Sequence, residues 1–121
     1  MRRRRFVDRL TETDEDRLAA EIREWADTVP GSIRIADAED RRRVKLAGAV
    51  RRITIRPVMG FEGMRLLLFD GTGEVSVLFL GRRSIPGLTL GSRLVVEGVL
   101  GRSGGTREVV NPSFEFVPTE G

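Results

Sequence analysis

Arg51 and Arg52 stand side by side in the stretch VKLAGAVRRITIRP, and Arg56 follows four residues after Arg52. A guanidinium is always charged, grips phosphate through paired N–H donors and stacks on flat groups. Arginines spaced along one surface neutralise a polyanion and release its counterions, which gives affinity without sequence choice. The chain offers little other chemistry. It has no cysteine and no histidine, so it lacks a thiol nucleophile, a thiolate metal site and the commonest general base. Asp14, Glu15 and Asp16 form a carboxylate cluster that could hold Mg²⁺ in principle. They read instead as the first turn of a helix, where acids complement the dipole. The serines and threonines have no visible base partner. The expectation is a non-enzymatic binding protein without cofactor or metal.

The apolar pattern shows which elements must carry these arginines. Val44, Leu46, Gly48 and Val50 are apolar or small at alternate positions, as one face of a strand requires. The parity then switches to Ile53 and Ile55, with the two arginines at the switch. An odd shift sends every later side chain to the opposite face. A bend at Gly48 or a bulge at the arginine pair is therefore expected. A bulge lets two adjacent guanidinium groups point outward together; the plainer alternative is a barrel corner with polar residues facing water.

Strands are expected near Val44–Arg56, Met64–Asp70, Glu74–Leu80, Arg93–Leu100 and Arg107–Val117, separated by glycine-bearing turns. Five short strands with one non-strand interval, between the third and fourth, predict an all-β domain. The arrangement that fits is the five-stranded Greek-key barrel called the OB-fold, over residues 34–117. Ahead of it, TETDEDRLAAEIREWADTVPG predicts an amphipathic helix with a capping box at Thr13 and a stop at Pro30-Gly31. Leu18, Ile22, Trp25 and Val29 form its apolar stripe, which Phe6 and Leu10 could extend across a short preceding turn. Residues 1–33 thus comprise an arginine-rich tip and an acidic helix, and residues 118–121 a C-terminal tail.

The net charge of +3 is unevenly spread: residues 1–5 carry four arginines, residues 6–40 a net −7, and residues 41–121 a net +6. A basic domain behind an acidic segment attracts polyanions; with 20 Arg against one Lys, codon bias in an arginine-rich proteome is the competing account. No apolar run follows the basic start, so neither a signal peptide nor a membrane anchor is expected, and the default location is cytoplasmic.

The segments LLLFDGTGEVSVLFLG, LTLGSRLVVEGVLG and VVNPSFEF carry a resemblance. Together they resemble OB-fold nucleic-acid-binding domains, in particular the wedge domain of RecG-type DNA helicases and small stand-alone actinobacterial OB-fold proteins. The shared features are the Asp70–Gly73 turn, the Gly91, Leu94, Val96, Gly98 pattern and a closing strand with proline and aromatics. No GxxxxGK phosphate loop is present, so the resemblance implies binding and not a helicase motor.

OB-folds usually bind on the outer face of strands two and three and at the flanking loops. Apolar alternation puts Met64, Leu66, Leu68, Val75, Val77 and Phe79 inside. Arg65, Leu67, Phe69, Glu74, Ser76, Leu78 and Leu80 then lie outside. The candidate nucleic-acid-binding set is Arg51, Arg52, Arg56, Phe61, Arg65, Phe69, Arg82, Arg83, Arg102 and Arg107, with Phe61 and Phe69 as stacking platforms. The expected partner is single-stranded or branched DNA or RNA. Leu67, Phe69, Leu78 and Leu80 would make an exposed apolar patch, which monomers seldom leave open. The rival reading is therefore a protein-interaction or homodimer face. The helix stripe matches this patch in character, so docking of the helix on or near that face, burying Trp25 and acting as a partial acidic mask, is also expected.

Overall fold

The computed structural model describes residues 2–117, with side chains from residue 14 onwards. The side chains of the arginine-rich tip and of Phe6 and Leu10, and the C-terminal tail, lie outside what it describes. Helix α1 spans Arg2–Thr28, a short 3-10 turn Ile35–Asp37 follows, and six strands complete the chain: β1 Arg43–Ile55, β2 Gly63–Phe69, β3 Glu74–Leu80, β4 Arg93–Ser103, β5 Thr106–Val110 and β6 Ser113–Val117.

The helix is one continuous element and does not begin at Thr13. No glycine or proline occurs between Arg2 and Thr28, so nothing interrupts it until Pro30-Gly31. The capping box is therefore absent, and Asp14, Glu15 and Asp16 lie exposed in mid-helix rather than in a first turn. The end is as the sequence indicates. Gly31 takes φ +78°, and the Ser32 hydroxyl donates to the Ala26 and Val29 carbonyls, each at 2.9 Å.

Five strands close a ring in the order β1–β2–β3–β5–β4 and back to β1, with β3 and β5 parallel and every other pair antiparallel. The slip in strand one is a bulge. Val50 pairs with Leu68 and Arg52 with Leu67, leaving Arg51 as the extra residue. Ahead of it, a Cβ on Gly48 would lie 2.7 Å from the Phe69 carbonyl oxygen, so only glycine permits the close crossing of β1 over the end of β2.

The predicted last strand is broken in two. Asn111 adopts φ +48°, its Oδ1 accepts the Leu80 N–H at 2.8 Å, and Pro112 has no N–H to continue a ladder. β5 therefore pairs with β3 and β4, whereas β6 pairs with β4 alone, continuing along the same edge at Arg93–Glu97, opposite β1.

The inward set is as alternation predicts: Met64, Leu66, Leu68, Val75, Val77 and Phe79 are all buried in one cluster with Leu46, Leu94, Val96, Leu100 and Val109. Ile35 of the 3-10 turn, fully buried, plugs one end. A polar clasp holds it. Asp70, itself 1 % exposed, accepts the Ile35 N–H at 2.8 Å and the Thr72 and Gly73 N–H groups at 2.8 and 3.1 Å. Arg107 donates to the Ile35 and Ala38 carbonyls at 2.9 and 3.3 Å.

Helix α1 does not dock on the outer face of β2 and β3. It packs where β1 and β4 present small or aliphatic outward residues: Ala26, Trp25 and Val29 meet Ala47, Val95 and Val117. Alanine at an outward strand position lets a helix come close: Ala26 is buried here and Trp25 and Val29 are half-buried, while Leu18 of the stripe stays exposed. The helix also abuts the β2–β3 turn, where a Cβ on Gly71 would lie 2.6 Å from the Ala19 carbonyl.

Candidate nucleic-acid interface

On the outer surface the register sets two parallel rows of residues. One runs Arg52, Leu67, Ser76, Glu108 and the next Thr54, Arg65, Leu78, Val110, across β1, β2, β3 and β5. Arg65 and Glu108 occupy different rows and meet over β3: Nε to Oε2 is 2.9 Å, and the same oxygen accepts from Ser76 Oγ at 3.1 Å. This bridge accounts for the burial of Ser76 and Leu78, at 6 % and 4 % exposure. Leu67, Phe69 and Leu80 are half-buried. The expected open patch is therefore not there; its polar neighbours lie across it.

The candidate arginines fall into two groups. Arg51 projects from the bulge with its guanidinium carbon 4.2 Å from the centroid of Phe69, and donates to Glu74 at 2.9 Å. Arg83 pairs with Glu62 at 3.1 Å and Arg102 with Asp40 at 2.6 Å. Arg107 belongs to the Ile35 clasp. Arg52, Arg56 and Arg82, by contrast, make no ion pair among the described residues. Arg82 lies over Phe79 and Phe114, 5.8 and 5.3 Å from the ring centroids. Arg52 and Arg56 are exposed on the half of β1 beyond the bulge and just after it.

The adjoining β1–β2 loop is closed by its own backbone. Val58 and Phe61 exchange both backbone hydrogen bonds, at 2.8 and 2.9 Å. Between them Met59 and Gly60 both take positive φ, 51° and 81°, as a tight I′-type hairpin turn requires. Phe61 is 61 % exposed and Met59 90 %. Arg56 and Phe61 thus flank the β1–β2 hairpin, with Arg52 two outward positions back along β1 opposite Leu67, while Phe69, capped by Arg51, is no open stacking surface. Met59 escaped the sequence reading, although a Met-Gly pair between Val58 and Phe61 is a hairpin signal.

Away from this face, Arg34 forks onto Asp27 at 3.2 and 2.8 Å. The hydrogen bond and the guanidinium charge hold the Asp27 carboxyl below the ordinary range, despite some desolvation. Among the described residues no three His, Cys, Asp or Glu side chains converge to hold a metal, and no helix is long and apolar enough to cross a membrane.

The ring order, the parallel β3–β5 closure and the plugged end define an OB-fold. Solved structures agree. The chain is similar to RecG in its structure bound to a three-way DNA junction, with TM-score 0.55 and 19% identity over 70% of this chain and 12% of that one. It is also similar to a replication protein A heterotrimer bound to ssDNA, with TM-score 0.51 and 17% identity over 78% of this chain and 71% of that one. The chain spans about an eighth of the RecG chain. No family model and no curated protein sequence matches it.

Proposed function

We propose that this protein is a non-enzymatic, cytoplasmic nucleic-acid-binding OB-fold that takes single-stranded or branched DNA or RNA with little sequence choice. The observation that carries the reading is a line of two exposed arginines with no ion pair among the described residues, Arg52 and Arg56, leading along β1 to the exposed ring of Phe61 on a hydrogen-bonded turn. Cations for phosphates beside a flat surface for bases are what single-strand binding needs. RecG on a DNA junction and replication protein A on ssDNA support the same direction by shared fold. The centre of the face is internally neutralised through Arg51–Glu74 and Arg65–Glu108, so contact concentrates at the β1 end. The rival reading, an interaction or homodimer face at Leu67, Phe69, Leu78 and Leu80, is weakened because Leu78 is buried and the other three are half-buried.

The test is fluorescence anisotropy with single-stranded, duplex and forked oligonucleotides across a salt series. Micromolar binding to single-stranded or forked probes that weakens steeply with salt supports the proposal. No binding at low salt, together with a stable dimer in solution, overturns it in favour of the rival.

A further inference from the structure

A cleft of about 340 Å³ opens where α1, the β1 bulge, the end of β2 and the start of β4 meet. Its walls include Leu18, Ile22, Phe69 and Leu90, and Arg51 and Arg93 also line it. This volume is at the lower end of the ~300–1,000 Å³ typical of small-ligand sites, which are apolar with a few placed polar groups. Leu18 and Leu90, at 58 % and 66 % exposure, leave the cleft open to solvent.

Each arginine lies over an aromatic ring: the guanidinium carbon is 4.2 Å from the Phe69 centroid for Arg51 and 5.1 Å from the Trp25 ring centroid for Arg93. A guanidinium drawn to a ring by cation–π attraction still has N–H donors for an anion. Arg51 spends one such donor on Glu74; Arg93 has no hydrogen-bonding or ionic partner among the described residues. An apolar slot lined by two guanidiniums suits a ligand that joins a flat, weakly polar body to an anionic group. A nucleotide has that chemistry.

We infer that this cleft receives one unstacked nucleotide of the bound strand, its base among the apolar walls and its phosphate on Arg93 and Arg51. The inference rests on the nucleic-acid reading above and extends it across the bulge, from the Arg52–Arg56 end to the helix seam. It makes α1 a wall of the site rather than a mask over it. Arg51 is the hinge of the arrangement: as the bulged residue it faces both the strand surface and the cleft. The walls offer little to distinguish one base from another, so occupancy follows from the base being unpaired, and a duplex does not fill it.

Trp25 is the single tryptophan and sits beneath Arg93, so its emission reports the site. The experiment titrates the full chain with a short oligothymidylate, reading anisotropy and Trp25 emission together. The expected result is an emission change at saturation. Leu90→Asp, at an exposed position that leaves the fold intact, should weaken binding about tenfold and abolish the emission change. Arg52→Ser should weaken binding yet keep that change at saturation. Oligothymidylate bound by anisotropy with unmoved emission, or with full affinity for Leu90→Asp, overturns the inference while leaving the proposed function standing. An abasic strand that reproduces both signals reduces the cleft to an anion site and also overturns it. An acidic, leucine-bearing peptide that moves the emission when oligothymidylate does not assigns the cleft to a protein ligand instead. Absence of any anisotropy change at low salt removes both readings together.

Discussion

Arg65 and Glu108 reach across strand β3 to each other, Nε to Oε2 at 2.9 Å, with the carboxylate only 8 % exposed and the guanidinium 38 %. An acid therefore occupies the cation at the middle of the proposed face. Replacing Glu108 by Gln keeps an acceptor for Ser76 and removes the charge. Oligonucleotide affinity should rise several-fold, and the log–log salt slope should steepen by about 1, the signature of one further phosphate contact. Anisotropy at several salt concentrations checks this; an unchanged slope would mean Arg65 stays out of the interface.

Arg52 and Arg56 make no ion pair among the described residues. Changing both to Ser should flatten the salt slope by about 1.5 and weaken binding to all sequences alike. Because both side chains are exposed, stability should move by no more than about 0.5 kcal/mol. Thermal melting followed by circular dichroism separates the two effects.

Asp70→Ala removes the acceptor of the buried Ile35 N–H and of the Thr72 and Gly73 N–H groups. Leaving a buried donor unpaired while undoing the turn should cost roughly 3 kcal/mol. Urea unfolding measures it directly, and a loss below about 1 kcal/mol would show that water replaces the carboxylate.

Half-buried Trp25 should emit at shorter wavelength in the native protein than in urea. Trp25→Ala should cost on the order of 2 kcal/mol, since the helix keeps Ile22, Ala26 and Val29 for docking. Native emission identical to that of the unfolded chain would contradict the packing of α1 on β1 and β4.

The Asp27–Arg34 pair ties the helix end to the connector. A folded-state value lowered below the ordinary one stabilises the native state fully above the ordinary value, and that stabilisation disappears as pH falls through the lowered value. Asp27 should therefore titrate below about 3.9 by NMR, and Arg34→Ala should return it upward. The effect on stability should be confined to acid solution and small, because both groups are largely exposed.

Much of this architecture is legible in local pattern. The parity switch at Arg51-Arg52 specifies the bulge because a strand has no other way to reverse its faces, and alternation alone sorts Leu66 from Leu67. Other features were missed for different reasons. The Asn111-Pro112 break is visible in the sequence but is outweighed by the apolar residues around it. The early helix start was obscured by Thr13, a good cap residue that the chain passes through without stopping. Burial of Leu78 has no local sign at all: it arises from Arg65 and Glu108, 43 residues apart, which only the closed ring brings together. For the same reason the arginines look interchangeable in sequence, whereas the fold gives some of them acids and leaves others without.

The ring order also dictates how the barrel must be made. β1 needs β4, with Arg43 facing Val99, and β3 needs β5, with Ser76 facing Glu108. Neither side of the ring can close until the chain beyond Arg93 has emerged from the ribosome. Until then β1 and β3 each expose an unpaired ladder, and the Ile35 plug has no finished end to seal. Because closure depends on contacts distant in sequence, folding should be slow relative to a helical protein of this size. During synthesis the nascent meander of β1, β2 and β3 leaves its apolar Leu66-Leu67-Leu68 and Val77–Leu80 runs without their later partners.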